Sequence, residues 1–179
     1  MSVLKNKRNL SKYQVQITAQ NLEIKIIQFL MKDFGVKPKA LDYKYSNKIR
    51  SISIEDKAII DEILEKYNLS HTIFGEYPLW AIEYFRRNIL NLANLASLNI
   101  KAAAVLYPQT IKQFEERYDY INKAIINYNQ LLHYFNILPK IFSIEIQKFQ
   151  PYLKDITYEI ALLQNWRKRT SQSIKQLKG

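Results

Sequence analysis

Few side chains in this sequence are of a type and spacing that could do covalent chemistry. The two histidines, His71 and His133, stand far apart, and neither lies in a cluster with metal-ligand spacing. An ordinary structural role is the simpler reading of both. The acid pairs Asp61-Glu62 and Glu115-Glu116 are adjacent in sequence, not one helical turn apart, so they read as solvated helix faces and not as a general acid and base sharing one substrate. There is no cysteine, which excludes disulfides and thiolate metal sites, and with three glycines in 179 residues no Gly-rich phosphate loop exists. The pattern predicts a protein that is not an enzyme and carries no cofactor and no metal.

The residues that do suggest a chemistry are basic, and the chemistry is binding of polyanions. The formal net charge is +11, from 27 Lys and Arg against 16 Asp and Glu. Nine of those cations lie at the two ends with no acid among them: Lys5, Lys7, Arg8 and Lys12 in residues 1–12, and Arg167, Lys168, Arg169, Lys175 and Lys178 in residues 167–179. The remaining 18 basic and 16 acidic residues leave the body nearly neutral. Clustering of this kind suits nucleic acid or an anionic surface; solvated tails that merely aid solubility are the plain alternative. Of the internal cations, Arg86, Arg87 and Arg117 stand out, with surface ion pairs as their simplest explanation.

The elements that must position these charges are helices. A chain so poor in glycine and proline lacks the turn residues of a sheet protein, and its length suits one well-buried domain. The central stretch, residues 78–107, has 13 apolar residues among the 18 from Ile89 to Leu106, with Lys101 the single charge. It predicts a helix of about 29 residues, roughly 43 Å long, to which water has little access. Asn91, Asn94, Ser97, Asn99 and Lys101 interrupt the run, so no window is apolar enough for a membrane span, and no membrane association is expected. A helix this apolar calls for neighbours on more than one side, within the chain or from a second subunit.

Around it the periodicity places three further long helices. Ser11 and Gln14 form a capping-box pattern that opens a helix over 11–34, with Val15, Ile17, Leu22, Ile26, Phe29 and Leu30 as its apolar positions and Gly35 as terminator. Thr110 and Gln113 repeat that pattern before 111–138, where Ile121, Ile125, Tyr128, Phe135 and Leu138 recur at helical spacing until Pro139. Tyr120, Asn127 and Tyr134 form a second line at intervals of seven on the same helix. Leu153, Ile156, Ile160, Leu163 and Trp166 define a last helix over 151–171, with the core ending at Trp166. Residues 36–77 form an insertion holding a short helix opened by Ser53, with Glu55 and Asp56 in its first turn and Ile59, Ile60, Ile63 and Leu64 on one face.

The expected fold is therefore all-α: an antiparallel up-down four-helix bundle in a single domain, with a basic N-terminal arm at 1–10, the inserted short helix, and a basic tail at 172–179. Four antiparallel helices bring the start of the first and the end of the last to one end of the bundle. There both basic tails join Lys101 and Lys112 in a patch that could neutralise several phosphates. No motif for reading base edges is present, so contact should be with backbone or shape. The opening residues lack the continuous apolar core of a secretory signal, and the cytoplasm is the expected compartment.

Three stretches carry a family resemblance: the basic opening MSVLKNKR ahead of a helix at Ser11, the Ala-rich helix ending in Leu106-Tyr107-Pro108, and the closing Leu162-Leu163-Gln164-Asn165-Trp166-Arg167-Lys168. Together the chain resembles the Avd-type accessory proteins of diversity-generating retroelements, and the related four-helix proteins encoded in 23S ribosomal RNA intervening sequences. The resemblance implies a small basic four-helix bundle that forms a pentamer, binds a reverse transcriptase and RNA or DNA, and supports copying of a template into a variable gene. It implies Arg167, Lys168 and Arg169 as nucleic-acid contacts, with Arg117 a weaker one. Residues 36–77 depart from the family's compact pattern. The competing reading is a protein-interaction or structural helical bundle, phage-encoded, whose basic tails are incidental; a membrane-surface role ranks behind both.

Overall fold

In a computed structural model, the residues described are 12–32, 34, 53–66 and 77–178. The protein is all-helical: α1 (Lys12–Leu30), α2 (Ile54–Lys66), α3 (Leu79–Val105), α4 (Ile111–Ile141), a 3-10 turn (Ile146–Lys148) and α5 (Gln150–Lys178), with no β-strand among the described residues. No helix among them is long and apolar enough to cross a membrane. The chain divides into two compact units, Met1–Gln28 with Asn88–Gly179, and Phe29–Arg87.

In the first unit, α4 and α5 pack along one another in opposite directions. Phe135 meets Phe149 and Tyr152 at ring-centroid distances of 6.1 and 5.6 Å, Arg167 bonds Asn122, and Lys178 pairs with Glu115, so descending numbers on α4 match ascending ones on α5. Contacts between α1 and α5 run the same way, from Lys25 with Asp155 to Val15 beside Leu162 and Trp166. The core between them is apolar side chains at helical spacing: Val15, Ala19, Leu22 and Ile26 on α1; Ile121, Ala124, Tyr128, Leu131 and Phe135 on α4; Ile156, Ile160 and Leu163 on α5. Ile17, expected in the core, is 56% exposed, because two residues from Val15 is about 200° around a helix.

The long apolar helix α3 is buried on one face only. Within the first unit, Ile89, Ala93, Ala96, Ile100 and Ala103 step by four, three, four and three and are fully enclosed, whereas Leu98 and Val105 are 51% and 68% exposed. The side that packs inward is distinguished by small residues, which permit close helix approach; the outward side is nearly as apolar. That water reaches little of this helix does not hold for the single chain.

The termini show where local chemistry decides and where it yields. Thr110 caps α4 with its hydroxyl accepting from the Gln113 N–H while the Gln113 side chain accepts from the Thr110 N–H, as the capping-box pattern predicts. Pro139 does not end α4, which continues to Ile141. In the last turn the missing N–H leaves one helical bond unmade, and the Pro139 carbonyl accepts from Ile144 as the chain leaves through Ser143 at φ 49°. Residues 172–178, expected as a tail, are helical, and Thr170 is buried beyond the predicted core limit at Trp166. Neighbouring α4 supplies the packing that extends α5; propensity alone does not reveal it.

In the second unit, α2 is capped by Ser53, whose hydroxyl accepts from the Asp56 N–H at 3.1 Å and donates to the Asp56 carboxylate at 2.8 Å. Of its apolar residues, Ile54, Ile59 and Ile63 are exposed and Ile60 is half-buried. Leu30, Phe34, Ala81 and Ile82 are buried there, and Phe34, at φ 59°, meets Phe29 edge to face at 5.7 Å. Ser11 and Gly35, the expected cap and terminator of the first helix, lie outside the described residues.

Candidate nucleic-acid interface

The basic residues of α4 and α5 meet where α4 begins and α5 ends. A cleft of about 190 Å³ opens there. Val15, Phe114, Leu162 and Trp166 form its apolar lining, and Arg117, Asn165, Arg169, Thr170 and Ser173 its polar one. Three helices contribute, and α5 contributes most, because Leu162, Asn165, Trp166, Arg169, Thr170 and Ser173 recur at three- and four-residue spacing along one face.

Arg117 is the anchored member. Its guanidinium donates to the Leu106 carbonyl, tying the turn after α3 to the second turn of α4, while Nε is buried with no hydrogen-bond partner. Burial lowers its pKa, yet an arginine stays charged at any physiological pH. The cleft therefore holds a fixed, partly desolvated positive charge beside the exposed Arg169, a setting in which an anion is attracted more strongly than in bulk water. Trp166, half-buried, adds a ring at the same hollow.

The other predicted contact residues divide into engaged and open ones. Arg167 is half-buried and donates to Asn122 Oδ1 at 3.0 Å, so part of its fork holds α5 to α4. Lys178 pairs with Glu115 at 3.0 Å, which brings an acid to a segment that has none in sequence. Lys101, Lys112, Lys168 and Lys175 are exposed and form no ion pair among the described residues. Lys5, Lys7 and Arg8 lie outside the described residues, and of Lys12 only the helical backbone is described. Arg86 and Arg87 lie on α3 in the second unit, where Arg86 Nε is buried.

The sequence reading missed Asn165, Thr170 and Ser173, which carry no charge and draw attention only once α5 is known to extend past Trp166. It also missed Glu159, which is 1% exposed on the apolar seam of α5. Its spacing, three after Ile156 and four before Leu163, was the available signal. Among the described residues no group of three or more His, Cys, Asp or Glu could hold a metal ion; His133 is exposed beside Tyr134, and His71 lies outside the described residues. No family model, no curated protein and no solved structure matches this chain.

Proposed function

We propose that the protein is a non-catalytic basic accessory protein that binds RNA or DNA through its phosphates. The observation that carries this reading is the cleft where Arg117 and Arg169 meet between α4 and α5, flanked by exposed Lys168 and Lys175. Clustered cations with a desolvated member give attraction to a polyanion without base selectivity. The opposed directions of α1 and α5 and of α4 and α5 support an up-down arrangement of the four long helices, in which α1 begins at the end where α5 finishes. The family resemblance extends the proposal to a reverse transcriptase as protein partner, within a diversity-generating retroelement, and to a homo-oligomer, a pentamer in that family. The exposed apolar side of α3 supports self-association. In that setting the cytoplasm is the compartment.

The test is the salt dependence of binding to single-stranded RNA and to duplex DNA. Affinity should fall steeply between low and physiological salt. Replacing Lys168, Arg169 and Lys175 with Ala should flatten the slope of log affinity against log salt by about 0.7 to 0.9 for each phosphate that the variant no longer neutralises. An unchanged slope in the folded variant removes the proposal. The second reading, a protein-interaction bundle with incidental basic ends, rests on the same exposed face of α3 and would then lead. A reverse-transcriptase gene and a template repeat beside this gene would support the retroelement reading over it.

A further inference from the structure

The cleft between the start of α4 and the end of α5 holds more than cations. Val15, Phe114, Leu162 and Trp166 give its hollow of about 190 Å³ an apolar side, and no Asp or Glu is among its lining residues. Phe114 and Trp166 are half-buried, and Asn165 and Arg169 are exposed, so rings and polar groups alike meet solvent there. Phosphate binding alone leaves the apolar side unexplained, because a phosphate is held by charge and by hydrogen-bond donors, neither of which a phenyl ring supplies.

Size and charge restrict the occupant. Clefts that enclose a whole drug-sized ligand measure about 300 to 1,000 Å³, so this smaller one suits a single group of a larger molecule whose remainder stays outside. Two arginines and no acid in the lining favour a remainder that is anionic. An indole partly open to solvent favours a flat π-face, and every nucleobase has one. In a duplex the neighbouring bases cover both faces, so only an unpaired base can enter without being pulled from the stack.

We propose that the cleft takes one unpaired nucleobase of a single strand, stacked on Trp166, with Arg169 on the adjoining phosphate and Lys168 and Lys175 on phosphates further along. The two lysines are two helical turns apart on α5, roughly 10 Å at 1.5 Å per residue, so a strand laid along the helix meets both. Arg117, tied to the Leu106 carbonyl, adds a positive charge that is already in place before the strand arrives. Stacking is tolerant of sequence, so the selectivity gained is for single strands over duplex and not for one base over another. This inference rests on the nucleic-acid reading and deepens it.

The test uses the full chain and three labelled probes at one salt concentration: an oligothymidylate, an abasic strand with the same number of phosphates, and a duplex. The oligothymidylate should bind at least about fivefold more tightly than the abasic strand, the factor for one weakly stacked base. In Trp80→Phe, where Trp166 is the one tryptophan left, it should also quench the fluorescence and the abasic strand should not. Trp166→Leu, which keeps an apolar side chain in the cleft, should remove the advantage of the base-bearing strand, lower duplex affinity far less, and leave the salt slope unchanged. Equal binding of the two strands, each with a steep salt dependence, overturns the stacked base and leaves phosphate binding standing. So does an equal loss of strand and duplex affinity in Trp166→Leu. Binding of neither strand removes the nucleic-acid reading itself and this inference with it. The comparison of the two strands uses the unaltered protein, so it decides the matter even where Trp166→Leu does not fold.

Discussion

Arg117 reaches back across the turn between α3 and α4 to bond the Leu106 carbonyl, and this one contact gives a binding residue a structural duty. The guanidinium is positioned by the turn and the turn is held by the guanidinium. Arg117→Met should therefore weaken folding as well as binding. A loss of about 1.5 to 3 kcal/mol in urea unfolding is expected, the range for a hydrogen bond to a charged group. Arg117→Lys should keep the charge but recover little of the stability, because an ammonium cannot supply the same fork. Full stability in Arg117→Met would mean the contact is incidental.

Core and surface positions on α1 make a sharp pair. Val15 is 3% exposed and Ile17 is 56% exposed, although both are β-branched and two residues apart. Ile17→Ala should change stability by no more than about 0.5 kcal/mol. On α5, Leu163→Ala should cost about 2 to 5 kcal/mol because it opens a cavity at a fully buried site. Chemical denaturation of the two variants decides it, and similar costs would show that the α1–α5 packing is misassigned.

Glu159 predicts a pH dependence with a definite sign. Its pKa is raised in the folded state from an ordinary 4.5 to about 7 by burial, so between those values the folded protein holds a proton that the unfolded chain has released. Below about pH 4.5 both states are protonated and the residue costs nothing through titration. Stability then falls as pH rises through the window and levels off above about 7, a total of roughly 3 kcal/mol. Glu159→Gln should match the wild type near pH 4 and exceed its stability at pH 8. Parallel stability curves across that range would show that the carboxylate is better solvated than its burial implies.

The outward side of α3 predicts association. Leu98 and Val105, on the part of α3 that lies in the first unit, are exposed in the single chain. Light scattering at micromolar concentration should give a mass above 21.3 kDa, and Leu98→Glu with Val105→Glu should reduce it while helicity stays constant. A monomer in the wild type would remove the self-association proposal.

Helix content, the Thr110 cap and the apolar seams of α4 and α5 were legible in the amino-acid sequence, because each depends on neighbours within one or two turns. The clustering of cations in residues 167–179 was legible for the same reason. Tertiary structure alone decided which cations stay open: Glu115 meets Lys178 across 63 positions, and Asn122 takes Arg167 across 45. It also decided that α5 runs on to Lys178 and that Pro139 is absorbed into the last turn of α4, since packing between the helices outweighs local stop signals. Glu159 shows the limit most plainly. Its place on the seam follows from counting residues, but its burial and its raised pKa depend on what α1 presents opposite, where Thr18 offsets only part of the rise that burial brings.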